Sequence, residues 1–419
     1  MIDIKLLREN PEEFAQKIKA RGSDIDIDHI LKLDKEFKEL SLSVQRLREE
    51  RNKASKEKNI EKGKEIKEKL EKVEHQLKIL ENNLKEFLLK LPNIALKEVP
   101  VGDESKNKIV KTVGKPIKFN FVPKDHLEIG EKLGIIDVER AAKVSGSRFA
   151  YLKGDGALLE FAIVQFVLEK LTKEGFIPVV PPVLIKKEIT DELGYWHGNK
   201  NEITNNEEYY WLHEPNEDQG MYLVGTAEHA VVPMHKNETF SEKDLPKRYI
   251  AFSSAFRREA GSYGKDTKGI LRVHQFDKLE MISFVKPEDD DAERKKLLSI
   301  AESLVSELGF SYQLVRLATK DTSFPAAETI DIEIWMPAQN KYRETHSIST
   351  TTDFQARRLN IKYQDSGEKK FVHILNGTAF AIGRTIVAIL ENYQQEDGSV
   401  LIPKVLQKYI GNSVIKSQK

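Results

Sequence analysis

Two apolar seams occupy most of the first hundred residues and leave little freedom in how that stretch can fold. Leu33, Phe37, Leu40, Val44, Leu47, Arg51 and Ala54 recur at spacings of four and three, as do Ile66, Leu70, Val73, Leu77, Leu80, Leu84, Phe87 and Leu91. A stripe of that period buries itself only against a second helix, in coiled-coil packing. The segment between the seams, SKEKNIEKGKE, is almost without apolar residues and contains Gly63, so it is the expected turn. Two helices of about 30 residues, folded back on each other, make an arm roughly 45 Å long at 1.5 Å per residue. Ahead of it, Asn10, Pro11 and Glu13 read as N-cap, first-turn proline and capping-box partner of a short helix ending at Gly22.

After Leu91 the periodicity stops and Pro92, Pro100, Gly102 and Gly114 accumulate. The expected division is an N-terminal domain over 1–105 with its arm at about 27–92, a linker over 106–118 and a second domain over 119–419. In that domain GALLEFAIVQFVLEKLTKEG reads as an amphipathic helix ending at Gly175, while IDIEIWM and KYRETHSIS flank a polar turn as a hairpin. Hairpins imply antiparallel pairing, so the expected class is α+β: an antiparallel-sheet domain preceded by a two-helix antiparallel coiled-coil arm.

The 67 Lys and Arg balance 67 Asp and Glu, so a polyanion partner must be met by local clustering. The clustering falls on the arm: residues 45–72 hold eleven basic against seven acidic side chains. The absence of cysteine excludes disulfides and thiolate metal sites, and no apolar run approaches the roughly 20 residues needed to span a bilayer. The opening MIDIKLLRENPEEF has neither a signal core nor transit character, so a soluble, cytoplasmic protein is expected.

The chemistry concentrates in YIAFSSAFRREAGSYGKDTKGILRVHQFDKLEMISFV, residues 249–284. Read as two strands joined by a glycine-rich charged loop, it places Arg257 and Glu259 on one face of the first and Arg272, Phe276 and Glu280 on one face of the second. Singly these residues would suit a salt-bridged sheet surface. Together they offer guanidinium forks for a phosphate, a plane for a base and a carboxylate for an ammonium, as an aminoacyl adenylate requires.

Three further clusters join this one. In LNGTAFAIGRTIVAILENY, Asn376 and Thr378 share a face if extended, and Arg384 sits in the first turn of a helix, where a cation opposes the helix dipole unless it holds an anion. Thr226 and Glu228 sit together in VGTAEHAVV. Glu344 and Ser347 in YRETHSIST are possible oxygen ligands for Mg²⁺, but their odd spacing demands a bulge to bring them to one face. His346 reads as a structural or exposed histidine rather than as a base. No catalytic triad, Walker loop or zinc spacing is present, so charge stabilisation and positioning are left to carry the reaction.

These segments together resemble the three signature motifs of the class II aminoacyl-tRNA synthetases, and specifically the seryl-tRNA synthetases of bacterial and eukaryotic-cytosolic type. GFIPVVPP is similar to motif 1, a dimer-interface element with Pro182 at its proline; FRREAGSYGKDTKGILRVHQFDKLE to motif 2; NGTAFAIGRTIVAILENY to motif 3. The resemblance implies an enzyme that joins L-serine to ATP and passes it to tRNA(Ser), and by shared arm recognition to tRNA(Sec). It implies that Arg257 binds the α-phosphate and Arg384 the γ-phosphate, with Glu344 as the third catalytic group. Arg272 would serve the phosphates, Phe276 would stack the adenine and Glu259 would read its amino group. Serine would meet Thr226, Glu228, Arg257 and Glu280, with Asn376 and Thr378 at its hydroxyl. Glu344 and Ser347 would address Mg²⁺, with no zinc, in a homodimer. Arg46, Arg48, Arg51, Lys53, Lys56, Lys64 and Lys67 on the arm would meet tRNA phosphates.

The chain departs from the family pattern at Pro325 and Glu328, where glycine and lysine are usual. It departs again at Thr345, His346, Ile348 and Thr350, beside the proposed metal ligands. A non-catalytic RNA-binding relative, or a ligase that loads a carrier protein, are the competing readings of the same fold. A pocket that hydrogen-bonds the serine hydroxyl rejects alanine strongly, whereas threonine must be excluded by shape.

Overall fold

The computed structural model describes residues 1–195, 208–212, 220–259 and 268–417. The chain forms two compact units, Met1–Ile94 and Ala95–Lys419, the boundary falling before the expected one at 105.

The first unit is helical: α1 (Ile4–Glu9), α2 (Pro11–Ala20), α3 (Ile27–Lys56) and α4 (Ile60–Leu89). Asn10 caps α2 as its sequence suggests, accepting from the Glu13 amide at 3.3 Å and donating to the Glu13 carboxylate at 2.8 Å. Arg8 closes a two-bonded fork on Asp34 of α3 at 2.8 and 2.6 Å, pinning the short helices to the base of the arm. Along the arm Val44, Ala54, Ile66, Leu70, Leu80 and Leu84 are buried, as the seams require, and Arg48 reaches Glu74 across the pair at 2.7 Å. Two expectations need correction. Arg51 occupies a seam position but is exposed, and Gly63 lies within α4 rather than at the turn. The turn is only Glu57–Asn59; Lys58 takes φ of 54° and Asn59 restarts the helix by accepting from the Lys62 amide at 3.1 Å.

The second unit is built on an eight-stranded sheet of β1 (Lys108–Val113), β2 (Ile177–Val179), β3 (Lys247–Phe256), β4 (Gln275–Val285), β5 (Tyr312–Arg316), β6 (Glu328–Met336), β7 (Lys341–Thr352) and β8 (His373–Ala381). Its order is β1-β5-β6-β7-β8-β4-β3-β2, antiparallel except for β2 beside β3. The first of these strands falls inside the expected linker. Its sequence KIVKTV is exposed at five of six positions, as a charge-blunted edge strand is, so it carries no alternation to read.

Helices α5 (Asp155–Lys173), α6 (Asp290–Glu307) and α7 (Ile382–Tyr393) cover one face of the sheet. Period-2 alternation sorts β4: Leu279 and Met281 enter the apolar cluster under these helices, while Lys278 and Glu280 face a cleft on the other side, and Phe276 at the strand's start both lines that cleft and packs against the cluster's edge.

The departures from the family pattern are accommodated by packing. Glu328 is fully buried between Arg294 and Arg316, the latter at 2.8 Å. Thr350 donates to Asp290 at 2.7 Å, and Ile348 is 1 % exposed in the core.

Candidate active site

Two adjoining depressions on the open face of the sheet share Arg257, Arg272, Lys278, Glu344, Ser347 and Thr378 and form one cleft. In one half, Phe276 presents its ring at the start of β4, with the Arg257 guanidinium 5.5 Å from its centroid. Arg257 lies one residue past β3 and Arg272 three before β4, so these guanidiniums stand in the loop stems and not on ideal strands. The ladder nevertheless continues to them, since the Arg257 amide donates to the His274 carbonyl at 3.0 Å. The Arg257 side chain is oriented by donating from Nε to the Gly225 carbonyl at 3.1 Å. Glu259, also off the strand, takes φ of 53° and meets Arg272 at 3.2 Å. Residues 260–267 of the motif 2 loop lie outside the described residues.

Arg384, the third residue of α7, is held against β7 by Glu344. Its Nη1 donates to the Glu344 carbonyl at 2.9 Å and stands 3.1 Å from the carboxylate. That carboxylate answers the unfavourable helix dipole. Burial pushes the Glu344 carboxyl up, but Arg384, Arg257 and Arg272 outweigh it and hold the group below its ordinary range. The bulge demanded by the Glu344–Ser347 spacing is present: Ile332 pairs with His346 and Glu333 with Glu344, leaving Thr345 as the extra residue. Thr345 Oγ1 donates to the Ile332 carbonyl at 3.1 Å, and its oxygen lies 2.7 Å from His346 Nδ1. Glu344 and Ser347 both line the cleft as a result. His346 is buried and structural, its imidazole held down to about 4 first by burial.

In the other half, Glu228 opens a short helix, Glu228–Val231, and is 3 % exposed. Its amide donates to Thr226 Oγ1 at 3.4 Å. Both carboxylate oxygens lie 3.0 Å from Tyr195 Oη, and Gln355 Nε2 donates to one of them at 2.7 Å. Burial, opposed by the Gln355 hydrogen bond and reinforced by Glu280, pushes this carboxyl up to about 7. Glu280 is 2.5 Å from Lys278 Nζ and accepts from Thr378 Oγ1 at 3.4 Å. A bulge at Ala379 brings Thr378 opposite Glu280, and Asn376 lines the same half.

All twelve residues singled out for the small substrates therefore line one cleft. Pro182 is exposed and not part of that lining, and the seven basic arm residues are exposed on the first unit, with Arg48 and Lys67 engaged by Glu74 and Glu71. Sequence reading missed Tyr195, Gln355, Lys278 and Asp331. Lys278 was findable, two residues from both Phe276 and Glu280. Asp331, which accepts from Ser347 Oγ at 2.6 Å, is raised well above the carboxylate range by burial and by Glu344.

Among the described residues no three His, Cys, Asp or Glu side chains are grouped to hold a metal ion. Glu344 and Ser347 do provide hard oxygen donors of the kind Mg²⁺ takes when phosphates complete its shell.

A mostly antiparallel sheet with this helix packing, carrying Arg257 against the ring of Phe276 and Arg384 in the same cleft, defines the core of a class II aminoacyl-tRNA synthetase. The class II core domain of the Gly, His, Pro, Ser and Thr enzymes matches residues 210–393, and the seryl-tRNA synthetase N-terminal domain matches residues 1–95. The chain is 43 % identical to a serine–tRNA ligase of Thermodesulfovibrio yellowstonii over 99 % of its length and all of the relative's. It is 44 % identical to that of Syntrophobacter fumaroxidans, covering 98 % of this chain and 99 % of the relative. The seryl-tRNA synthetase of Pyrococcus horikoshii, solved in complex with ATP, superposes with a TM-score of 0.91 at 39 % identity, covering all of both chains. The chain belongs to the seryl-tRNA synthetase family, the serine–tRNA ligases.

Proposed function

We propose that the cleft activates L-serine with ATP and charges tRNA(Ser), and tRNA(Sec) through the same arm. A serine carboxylate oxygen attacks the α-phosphorus, the bond to pyrophosphate breaks, and seryl-adenylate remains. The terminal ribose hydroxyl of the tRNA then attacks the seryl carbonyl and AMP leaves. The observation that carries this reading is Arg257, which lines both halves of the cleft and so stands where the two substrates must join.

In this reading Arg257 binds the α-phosphate and Arg384 the γ-phosphate, with Arg272 between Glu259 and the anion. Phe276 stacks the adenine and Glu259 reads its amino group. Glu228 and Glu280 hold the serine ammonium beside Thr226, and Asn376 and Thr378 take its hydroxyl. Mg²⁺, held by Glu344 and Ser347, would neutralise phosphate charge. Because the ammonium and Lys278 compete for Glu280, serine binding displaces an internal cation rather than adding an unpaired one.

The arm is proposed to lie along the tRNA through Arg46, Arg48, Arg51, Lys53, Lys56, Lys64 and Lys67. A homodimer through motif 1 and Pro182 is supported by exposed apolar side chains within the motif, Val180 at 82 % and Ile177 at 48 %. No helix among the described residues is long and apolar enough to cross a membrane, and a cytoplasmic location is proposed. The test is charging of a tRNA(Ser) transcript with labelled serine: charging that depends on ATP supports the reading, and none with an intact transcript rejects it.

A further inference from the structure

The nucleotide half of the cleft is braced from behind by a residue that none of the motifs contains. His126, the first residue of the short helix His126–Leu133, is 6 % exposed, and its ring reaches the stem of the motif 2 loop. The Ile270 amide lies 3.2 Å from His126 Nε2. A backbone N–H can only donate, so Nε2 is the acceptor and the ring proton sits on Nδ1. Nδ1 in turn lies 3.3 Å from Oε1 of Glu391, a fully buried residue of α7, whose Oε2 accepts from the Ala338 amide at 3.2 Å.

Gly269 is what lets the ring come so close. It has φ of 71°, and a Cβ there would stand 2.0 Å from His126 Nε2. Any other side chain at 269 would meet both strain and collision.

The next two residues form the cleft wall. Ile270 and Leu271 both line the nucleotide half, and the Leu271 carbonyl accepts from Arg384 Nε at 3.4 Å. Glu391 and Arg384 belong to the same helix, so the chain of contacts closes on itself: α7 orients His126, His126 fixes Ile270, and the following residue bonds the arginine that α7 presents.

We infer that His126 is a positioning residue for the nucleotide: held by Glu391, it fixes the Ile270–Leu271 wall against which Arg384 is set. The inference rests on the functional reading above. It differs from a purely structural role because it acts on one substrate only. Serine meets Glu228, Glu280 and Asn376 in the other half.

The test is serine-dependent ATP–pyrophosphate exchange by the full-length chain, with Michaelis constants for ATP and serine measured separately and thermal unfolding followed alongside. His126→Phe keeps a ring but leaves the buried Ile270 amide unpaired, and is expected to raise the ATP KM about tenfold, the scale of one unsatisfied buried donor, with the serine KM unchanged. His126→Gln offers an oxygen to the same amide and should recover most of the loss. Glu391→Gln, which misorients the ring, should show the same split in milder form and carries the test if His126→Phe does not fold. Equal rises in both constants, an unchanged ATP KM, or a glutamine variant no better than phenylalanine would overturn the inference. A wild-type chain that exchanges with no amino acid would overturn the functional reading instead.

Discussion

Tyr195 Oη stands 3.0 Å from both carboxylate oxygens of Glu228 and, with Gln355 Nε2 at 2.7 Å, holds the group proposed to grip the serine ammonium. A hydrogen bond to the charged form favours it, and here it works against the burial that lifts the carboxyl to about 7. With Glu228 ionised as the competent state, kcat/KM for serine should climb as pH rises through about 7. Tyr195→Phe removes a stabiliser of the carboxylate, so the acid limb should move to higher pH by about one unit, near 1.4 kcal/mol. The pH profile of exchange at low serine reports this directly. A profile unmoved by the substitution would show that Tyr195 does not act on Glu228.

Arg384 and Glu344 form a second pair, an ion pair at 3.1 Å. Arg384→Ala should lower the exchange rate on the order of a hundredfold, the cost of losing one electrostatic clamp on developing charge. It also removes the first of the cations that hold the Glu344 carboxyl down, so burial should raise that group's titration. Single-turnover adenylate formation at pH 6 and pH 8 separates the two effects: the variant should be the more sensitive to acid.

The Thr345 bulge is what turns Glu344 and Ser347 to the same side. Deleting Thr345 restores unbroken pairing with β6 and sends one of the two to the opposite face. Exchange should fall to background while far-UV circular dichroism stays native. Ser347→Ala, a milder change, should raise the Mg²⁺ concentration needed for half-maximal exchange and leave the serine KM alone.

How much of this was legible beforehand follows from what each feature is made of. The arm could be read because its seams repeat locally, and the need for a bulge because Glu344 and Ser347 sit at an odd spacing. The bulge's position could not, since it depends on Thr345 reaching the Ile332 carbonyl on another strand. The edge strand over Lys108–Val113 was hidden because an exposed edge has no apolar face to alternate with. Tyr195 and Gln355 were out of reach for a different reason. They approach Glu228 from 33 residues before it and 127 after it, and only the folded chain brings them together.

On the arm, the full-length chain with Arg46, Arg51, Lys53, Lys56 and Lys64 changed to glutamine should exchange pyrophosphate at the wild-type rate but charge tRNA with a raised tRNA KM. The slope of log KM against log salt should fall as well, because fewer counterions are released on binding. These five are chosen because Arg48 and Lys67 already face Glu74 and Glu71. An unchanged salt slope would remove the arm from tRNA binding.

The most direct test of the central claim, that one cleft in the second unit joins serine to ATP, is amino-acid-dependent ATP–pyrophosphate exchange without tRNA, run in parallel with serine, threonine, alanine and glycine. Exchange with serine should stand far above the other three, with alanine rejected because the polar groups around Asn376 and Thr378 would lose their partner. Exchange that is equal for serine and alanine, or absent with all four, would contradict it.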